Sequence, residues 1–457
     1  MTTARSVWSR SALVNGFWQQ NVLIDIDNKG RVAGVSANET PRGEQVELLL
    51  PAMPNLHSHA FQRAMAGMTE TRGSDPSDSF WSWRKLMYQF LQHLNPDDIE
   101  SIAAFGQIEM LEAGFGAVGE FHYLHHQADG KKYDNLAEMS ERIVAAAMQS
   151  GIGMTLLPVL YEHGGCDGRE LQGGQKRFGN SIDQFSQLYT AVENIIKPHS
   201  DSFSVGIAPH SLRAVSQSSL AQAEALLAGK PLHIHVAEQT AEVDEIQAAW
   251  NARPVEWLLD NHNVTSNWCL VHATQMNAEE TRRVARTGAV VGLCPITESN
   301  LGDGIFNGVE YRAHSGHWGI GTDSNVRISL SEELRTLEYS QRLKHRKRAI
   351  YATEAHSTGR VLYDSAMQGG SVALNRQCGS IAIGEMADLI ALDIDSPSFV
   401  AVDKDNWLDA WLFANDDSVV TDVWVAGRHL VKEGVHVHRE EIERRYRNTL
   451  KNLIARL

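Results

Sequence analysis

Leu48-Leu49-Leu50-Pro51-Ala52-Met53-Pro54-Asn55-Leu56-His57-Ser58-His59 is the stretch on which the reading of this chain turns. An apolar run passes through a proline-loosened step and ends in two histidines one residue apart. In a strand, side chains at i and i+2 point to one face. Both imidazoles then converge and can grip a single cation. Imidazole nitrogen is a borderline ligand that suits zinc or iron. The alternative is a surface loop carrying two unrelated histidines, and the rest of the chain decides between them.

Outward from this stretch, short apolar segments alternate with longer amphipathic ones. Strands are expected at Gly116–Phe121, Met154–Tyr161, Phe203–Ala208, Pro231–Val236, Trp268–His272, Ala289–Cys294 and Gly319–Asp323. Helical patterns fall between them, as at Ile99–Ala113, Leu136–Gln149, Ile182–Ile196 and Ala278–Arg286. With the strand before His57, that makes eight strands separated by helices. The pattern predicts parallel pairing and an α/β fold, a (β/α)8 TIM-type barrel over 51–378. A doubly wound open sheet is the alternative, weakened because no Gly-x-Gly-x-x-Gly follows the first strand. Short strands with glycine turns at both chain ends predict a small β-sandwich domain assembled from 1–50 and 379–435. Over 436–457, Ile442, Tyr446, Leu450, Leu453 and Leu457 recur at helical spacing, so a terminal amphipathic helix is expected.

Composition narrows the function. The 457 residues are 43% hydrophobic and 21% charged, ordinary for a globular protein. A net charge of -15 argues against nucleic acid as a partner, and any anionic substrate must be held by local cations. Cys166, Cys269, Cys294 and Cys378 lie far apart without a Cys-x-x-Cys pair, which fits reduced thiols in a cytoplasmic protein. No signal-peptide core lies within Met1–Gln20 and no run of 18 apolar residues occurs, so no membrane association is expected.

Working residues of such a barrel sit at the carboxyl ends of its strands, which reduces 20 histidines to a few. His235 ends the strand at Pro231–Val236, with His233 packing below it. His272 ends the next strand, and Asp323 follows Gly321-Thr322. The expected metal ligands are therefore His57, His59, His235 and Asp323. Singly, each reads as a core histidine or a turn aspartate; together, at the ends of strands one, five and eight, they read as a site. Strand four ends in Ala208-Pro209-His210-Ser211 with no lysine, which favours one metal ion over a lysine-bridged pair.

His57-x-His59, His235-Val236-Ala237-Glu238, His272 and Gly321-Thr322-Asp323 together resemble the amidohydrolase superfamily in its mononuclear deaminase branch. More narrowly, Asn55 to Met65, Pro209-His210-Ser211-Leu212-Arg213, Thr297 to Gly304 and Thr322-Asp323-Ser324-Asn325 resemble the formimidoylglutamate deiminase family. The likeness covers nearly the whole chain. Ala52 departs from it, where the superfamily commonly has glycine after the strand-leading proline.

The resemblance implies one divalent ion, with zinc expected and iron the alternative. Such an ion lowers the pKa of its water from about 15.7 towards about 7, supplying hydroxide at neutral pH to attack the formimino carbon. Asp323 would serve as ligand and proton acceptor, with His272 orienting the water. Glu238 would carry a proton to the departing nitrogen; read alone, it is a helix-start carboxylate. The implied substrate, N-formimidoyl-L-glutamate, carries two carboxylates and an amidine. Arg213 and Arg84 are the cations expected to meet those carboxylates, and Gln62, Tyr123 and His210 are further contacts that the resemblance implies. Phe80, Trp81 and Trp83 receive no role. The expected reaction is hydrolysis to N-formyl-L-glutamate and ammonia, as in histidine degradation. The alternatives are a nucleobase or nucleoside deaminase with the same ligands, and a catalytically silent scaffold. The superfamily also implies a homodimer.

Overall fold

Strands from the two ends of the chain form one eight-stranded sheet in a computed structural model that describes residues 5–70, 80–199, 202–226 and 229–457. Its order is Val435–His436, Arg428–Lys432, Val420–Val425, Leu389–Leu392, Glu44–Pro51, Arg5–Val14, Phe17–Ile26, Val32–Ser36. Arg5–Val14 and Glu44–Pro51 pair in parallel, and the other neighbours are antiparallel. The first hairpin turns through Asn15 and Gly16, both left-handed at φ 49° and 77°. That is the two-residue turn whose twist matches its flanking strands. Val7, Val22, Ile24, Leu49, Leu389 and Trp424 form a buried cluster on this sheet.

The remaining strands are parallel. Met53–Ser58, Phe115–His122, Gly153–Leu160 and Phe203–Val205 make one ladder, with Ala208–Pro209 also pairing to the third. Leu232–Val236, Trp268–His272, Val290–Leu293 and His317–Ile320 make a second. Isolated parallel bridges Ile207–Leu232 and Ser211–His235 lie between the ladders on one side, and Ser58–Asp323 on the other. Phe115–His122 and Gly153–Leu160 are buried along their whole length. Such strands are covered on both faces and read as near-continuous apolar runs.

Element limits differ from expectation where local chemistry intervenes. The strand expected over Phe203–Ala208 is interrupted at Gly206, where a Cβ would sit 2.7 Å from the Pro231 carbonyl oxygen. Only glycine allows that approach. The helix expected from Ile99 begins at Pro96, because Asn95 caps it in a reciprocal box with Asp98 and proline is preset for the first helical position. The last helix, Arg439–Ile454, buries Ile442, Tyr446 and Leu453 but stops short of Leu457, which is exposed. It packs on Pro96–Glu112, with Tyr446 and Phe105 stacked 4.0 Å apart. No helix among the described residues is long and apolar enough to cross a membrane.

Candidate active site and metal centre

His57 lies near the end of the strand Met53–Ser58 and His59 directly follows it, His235 lies near the end of Leu232–Val236, and Asp323 follows His317–Ile320. The bridge from Ser58 to Asp323 brings the first and last of these strands side by side. His57 Nε2 lies 3.2 Å from His59 Nε2 and 3.1 Å from His235 Nε2. Asp323 Oδ1 lies 3.5 Å from His57 Nε2 and 3.3 Å from His59 Nε2. The four donor atoms all fall within 4.8 Å of one another, and all four side chains are buried.

The donor chemistry fits a cation. His59 Nδ1 sits 3.0 Å from the Phe121 carbonyl and His235 Nδ1 sits 3.1 Å from the His210 carbonyl, so each ring donates there and turns an Nε2 lone pair inward. Lone pairs that face one another across about 3 Å repel unless an electron-poor centre lies between them. Burial pushes His57 down to about 3 and lowers His59 and His235, keeping the rings neutral as ligation requires. Burial alone would raise Asp323, but His57, His59 and His272 hold it below the usual carboxylate range. Three imidazoles and a carboxylate make a zinc-type set.

Beside this cluster, His272 Nε2 lies 3.8 Å from Asp323 Oδ2 and 3.9 Å from Glu238 Oε1. Its Nδ1 lies 3.3 Å from Glu298 Oε1. Burial would lower His272, yet Glu238, Glu298 and Asp323 outweigh it and raise the ring to about 10. Burial raises Glu238, with His272 and Arg213 opposing. Ala237, His272, Ala273, Asp323 and Asn325 all adopt left-handed backbone, at φ 45° to 68°. Strain of this kind persists only where surrounding contacts enforce it.

A cavity of about 190 Å³ opens in front of these groups. His59, His235, Glu238, His272 and Asp323 line it, and so do all five expected substrate contacts: Gln62, Arg84, Tyr123, His210 and Arg213. His57 is fully buried behind the wall, and His233 packs lower still, donating to the Ala373 carbonyl at 2.8 Å. Gln62 Nε2 donates to the Tyr123 hydroxyl at 2.7 Å, leaving Gln62 Oε1 buried without a partner among the described residues. Arg84 Nε donates to the Tyr88 hydroxyl at 2.8 Å. The Arg213 guanidinium has no hydrogen bond or ion pair among the described residues; burial opposes its charge, while Glu242 and Glu238 act on it from a distance. Trp83 lines the cavity, and the side chains of Phe80 and Trp81 lie outside the described residues.

Sequence reasoning missed the groups that hold the clustered side chains in place. Asn55 Nδ2 donates to Thr322 Oγ1 at 2.7 Å, and Thr322 Oγ1 donates to Asn325 Oδ1 at 2.6 Å. Asn325 Nδ2 reaches Ser58 Oγ and the carbonyls of His59 and Asp323 at 3.1–3.2 Å. This buried network staples the strand of His57 and His59 to the loop of Asp323. Glu120, pushed up to about 8 by burial, accepts from the Ala60 amide at 2.8 Å and fixes the turn after His59. A polar residue inside an apolar strand, as at Asn55 and Glu120, was the signal available.

A cluster of neutral imidazoles and a carboxylate at strand ends, with an acid–base group within 4 Å, is the equipment of a metal-assisted hydrolase. Residues 48–430 match the amidohydrolase family. The chain belongs to that family. It is 45% identical over 455 residues to a formimidoylglutamate deiminase of Pseudomonas aeruginosa, covering 98% of this chain and 99% of the relative. A crystal structure of an amidohydrolase from Brucella melitensis superposes with a TM-score of 0.94 at 45% identity, covering 98% of this chain and all of that one. A zinc-bound adenosine deaminase from Xanthomonas campestris shares the fold at a TM-score of 0.83 and 18% identity, over 98% of each chain.

Proposed function

We propose that this protein hydrolyses N-formimidoyl-L-glutamate to N-formyl-L-glutamate and ammonia. The observation that carries this reading is Arg213, a cation without an ion-pair partner among the described residues, set in the same cavity wall as Glu238 and the converging imidazoles. The 45% identity to a formimidoylglutamate deiminase over nearly the full chain supports it. An uncharged nucleobase offers a guanidinium no ionic partner, whereas a carboxylate-bearing substrate does.

His57, His59, His235 and Asp323 would hold one divalent ion, zinc by donor type, which when bound acidifies a water to near-neutral pKa. Asp323 Oδ2 would accept the protons that the water gives up, while His272 Nε2, held protonated by its carboxylate neighbours, donates a hydrogen bond that orients the water. Arg213, with Arg84, Gln62, Tyr123 and His210, orients the substrate through its carboxylates. Water's oxygen bonds to the formimino carbon and becomes the formyl oxygen. The carbon–nitrogen bond then breaks, and Glu238 delivers the proton with which nitrogen leaves as ammonia. Glu298 holds His272 through Nδ1 so that Nε2 faces the reacting atoms.

The same reading extends to architecture. The two parallel ladders and their bridges form one closed (β/α)8 ring over 51–378. The end-derived strands, 1–50 and 379–435, fold over as a small sandwich, and 436–457 is a helical tail. A cytoplasmic homodimer completes the proposal. The test is ammonia release from formimidoylglutamate, guanine, cytosine and adenosine in parallel. Turnover of the first alone is expected, and turnover of a heterocycle in preference to it would overturn the assignment.

A further inference from the structure

Thr297-Glu298-Ser299-Asn300-Leu301-Gly302-Asp303-Gly304 contributes Glu298 and Thr297 to the site, but the reaction leaves Asp303 without a task. Asp303 is buried and absent from the cavity wall. Its carboxylate accepts from the Gln239 side-chain amide, and its backbone carbonyl accepts from Gln275 Nε2. Gln275 Nε2 also donates to the Glu238 carbonyl at 3.1 Å, while the Gln275 backbone amide donates to the Ala237 carbonyl at 2.8 Å. From the other side, the Glu242 carboxylate accepts from the Ala237 and Glu238 amides, both at 3.1 Å. Both backbone amides and both backbone carbonyls of Ala237 and Glu238 are thereby engaged from outside their own strand end. The segment so gripped carries a left-handed alanine at φ 52°, a conformation that relaxes when released.

We infer that Gln275 and Asp303 are positioning residues for Glu238, forming with Gln239 an amide–carboxyl brace that aims the Glu238 side chain into the cavity. Asp303 works through an acceptor oxygen, not through charge. Its Oδ2 is buried without a hydrogen-bond partner among the described residues. Burial and the neighbouring Glu238 push this carboxyl well above the usual carboxylate range, in keeping with a neutral group. An asparagine at 303 keeps the oxygen that Gln239 needs, and an alanine removes it.

The inference rests on Glu238 as the proton carrier, so four variants of the metal-loaded enzyme are compared with wild type: Glu238→Gln, Gln275→Ala, Asp303→Ala and Asp303→Asn. Metal content, melting temperature and separate kcat and KM are read for each. Misplacing a proton carrier by about 1 Å costs roughly 100-fold in rate. Gln275→Ala and Asp303→Ala should therefore lose roughly 10- to 100-fold in kcat, with KM and metal content within about two-fold of wild type. Asp303→Asn should recover most of that loss. If Glu238→Gln turns over normally, the proton-carrier reading itself fails. If Glu238→Gln is inactive while Gln275→Ala and Asp303→Ala keep wild-type kcat, the brace alone is refuted. A kcat loss that tracks metal loss, or an Asp303→Asn variant as poor as Asp303→Ala, also overturns it.

Discussion

Replacing Arg213 with alanine separates a cation kept for substrate from one kept for structure. In the free protein the guanidinium has no ion-pair partner among the described residues, and Glu242 and Glu238, acting from a distance, outweigh burial and keep it charged. Its removal breaks no salt bridge among the described residues, and the lost attraction to Glu242 and Glu238 is offset by relief of desolvation, so stability should stay within about 1 kcal/mol of wild type. Binding of a dicarboxylate is another matter. Truncating one side of a buried charge pair costs about 2–5 kcal/mol, because the partner charge is left unpaired. At about 1.36 kcal/mol per factor of ten, that is roughly 30- to 5,000-fold in kcat/KM. A carboxylate far from the reacting carbon is held equally in ground and transition states, so most of the loss should appear in KM. Arg213→Lys should recover only part, since an ammonium cannot make the paired contact of a planar fork. Ammonia release under initial-rate conditions, with thermal melts of each variant, checks both halves. An unchanged kcat/KM, or a fall in melting temperature that matches the loss of activity, refutes the reasoning.

Purified protein should carry about one equivalent of divalent metal per chain; elemental analysis finding none in active enzyme would remove the ion from the site. Asn325→Ala strips the buried brace between Ser58, His59, Thr322 and Asp323, and should cost about 1–3 kcal/mol in chemical denaturation; a midpoint equal to wild type counts against the stapling role. His429 lies between Asp422 at 2.8 Å and Glu44 at 3.2 Å, and these carboxylates outweigh partial burial to raise its pKa to about 9. A raised histidine stabilises fully below its unfolded value near 6.5 and loses that contribution as pH climbs through 9. His429→Gln should therefore destabilise by about 1 kcal/mol at pH 6 and by nothing at pH 10; equal destabilisation at both would contradict the charge argument.

The convergence of His57, His59, His235 and Asp323 was legible because two simple rules reach them. Period-two alternation pairs His57 with His59, and the strand-end rule selects His235, His272 and Asp323 from a chain rich in histidine. What escaped has no period. Asn55, Thr322 and Asn325 meet across 267 residues, and nothing local announces that an asparagine in an apolar strand will bond a threonine so far away. Gln275 and Asp303 look like ordinary loop residues until folding sets them against Glu238. Arg177 makes the same point from within: it is fully buried, spending its guanidinium on the Leu91 and His126 carbonyls, where composition alone predicts a solvated side chain. Strand existence at the chain ends was readable from apolar runs and glycine turns. The order of the sheet was not, because its central pairing joins Leu389–Leu392 to Glu44–Pro51.

That pairing has a consequence for how the protein is made. While the nascent chain is still short of Leu389, Glu44–Pro51 has one unpaired margin, and bare margins recruit foreign strands. The histidine-bearing segment leaves this same strand at Ala52, whose amide is anchored by the Asp388 carbonyl at 2.9 Å. The last restraint on the histidine-bearing segment therefore forms only once residue 388 has been synthesised. A fragment stopped before residue 388 would keep that margin open and leave the Ala52 amide without its carbonyl.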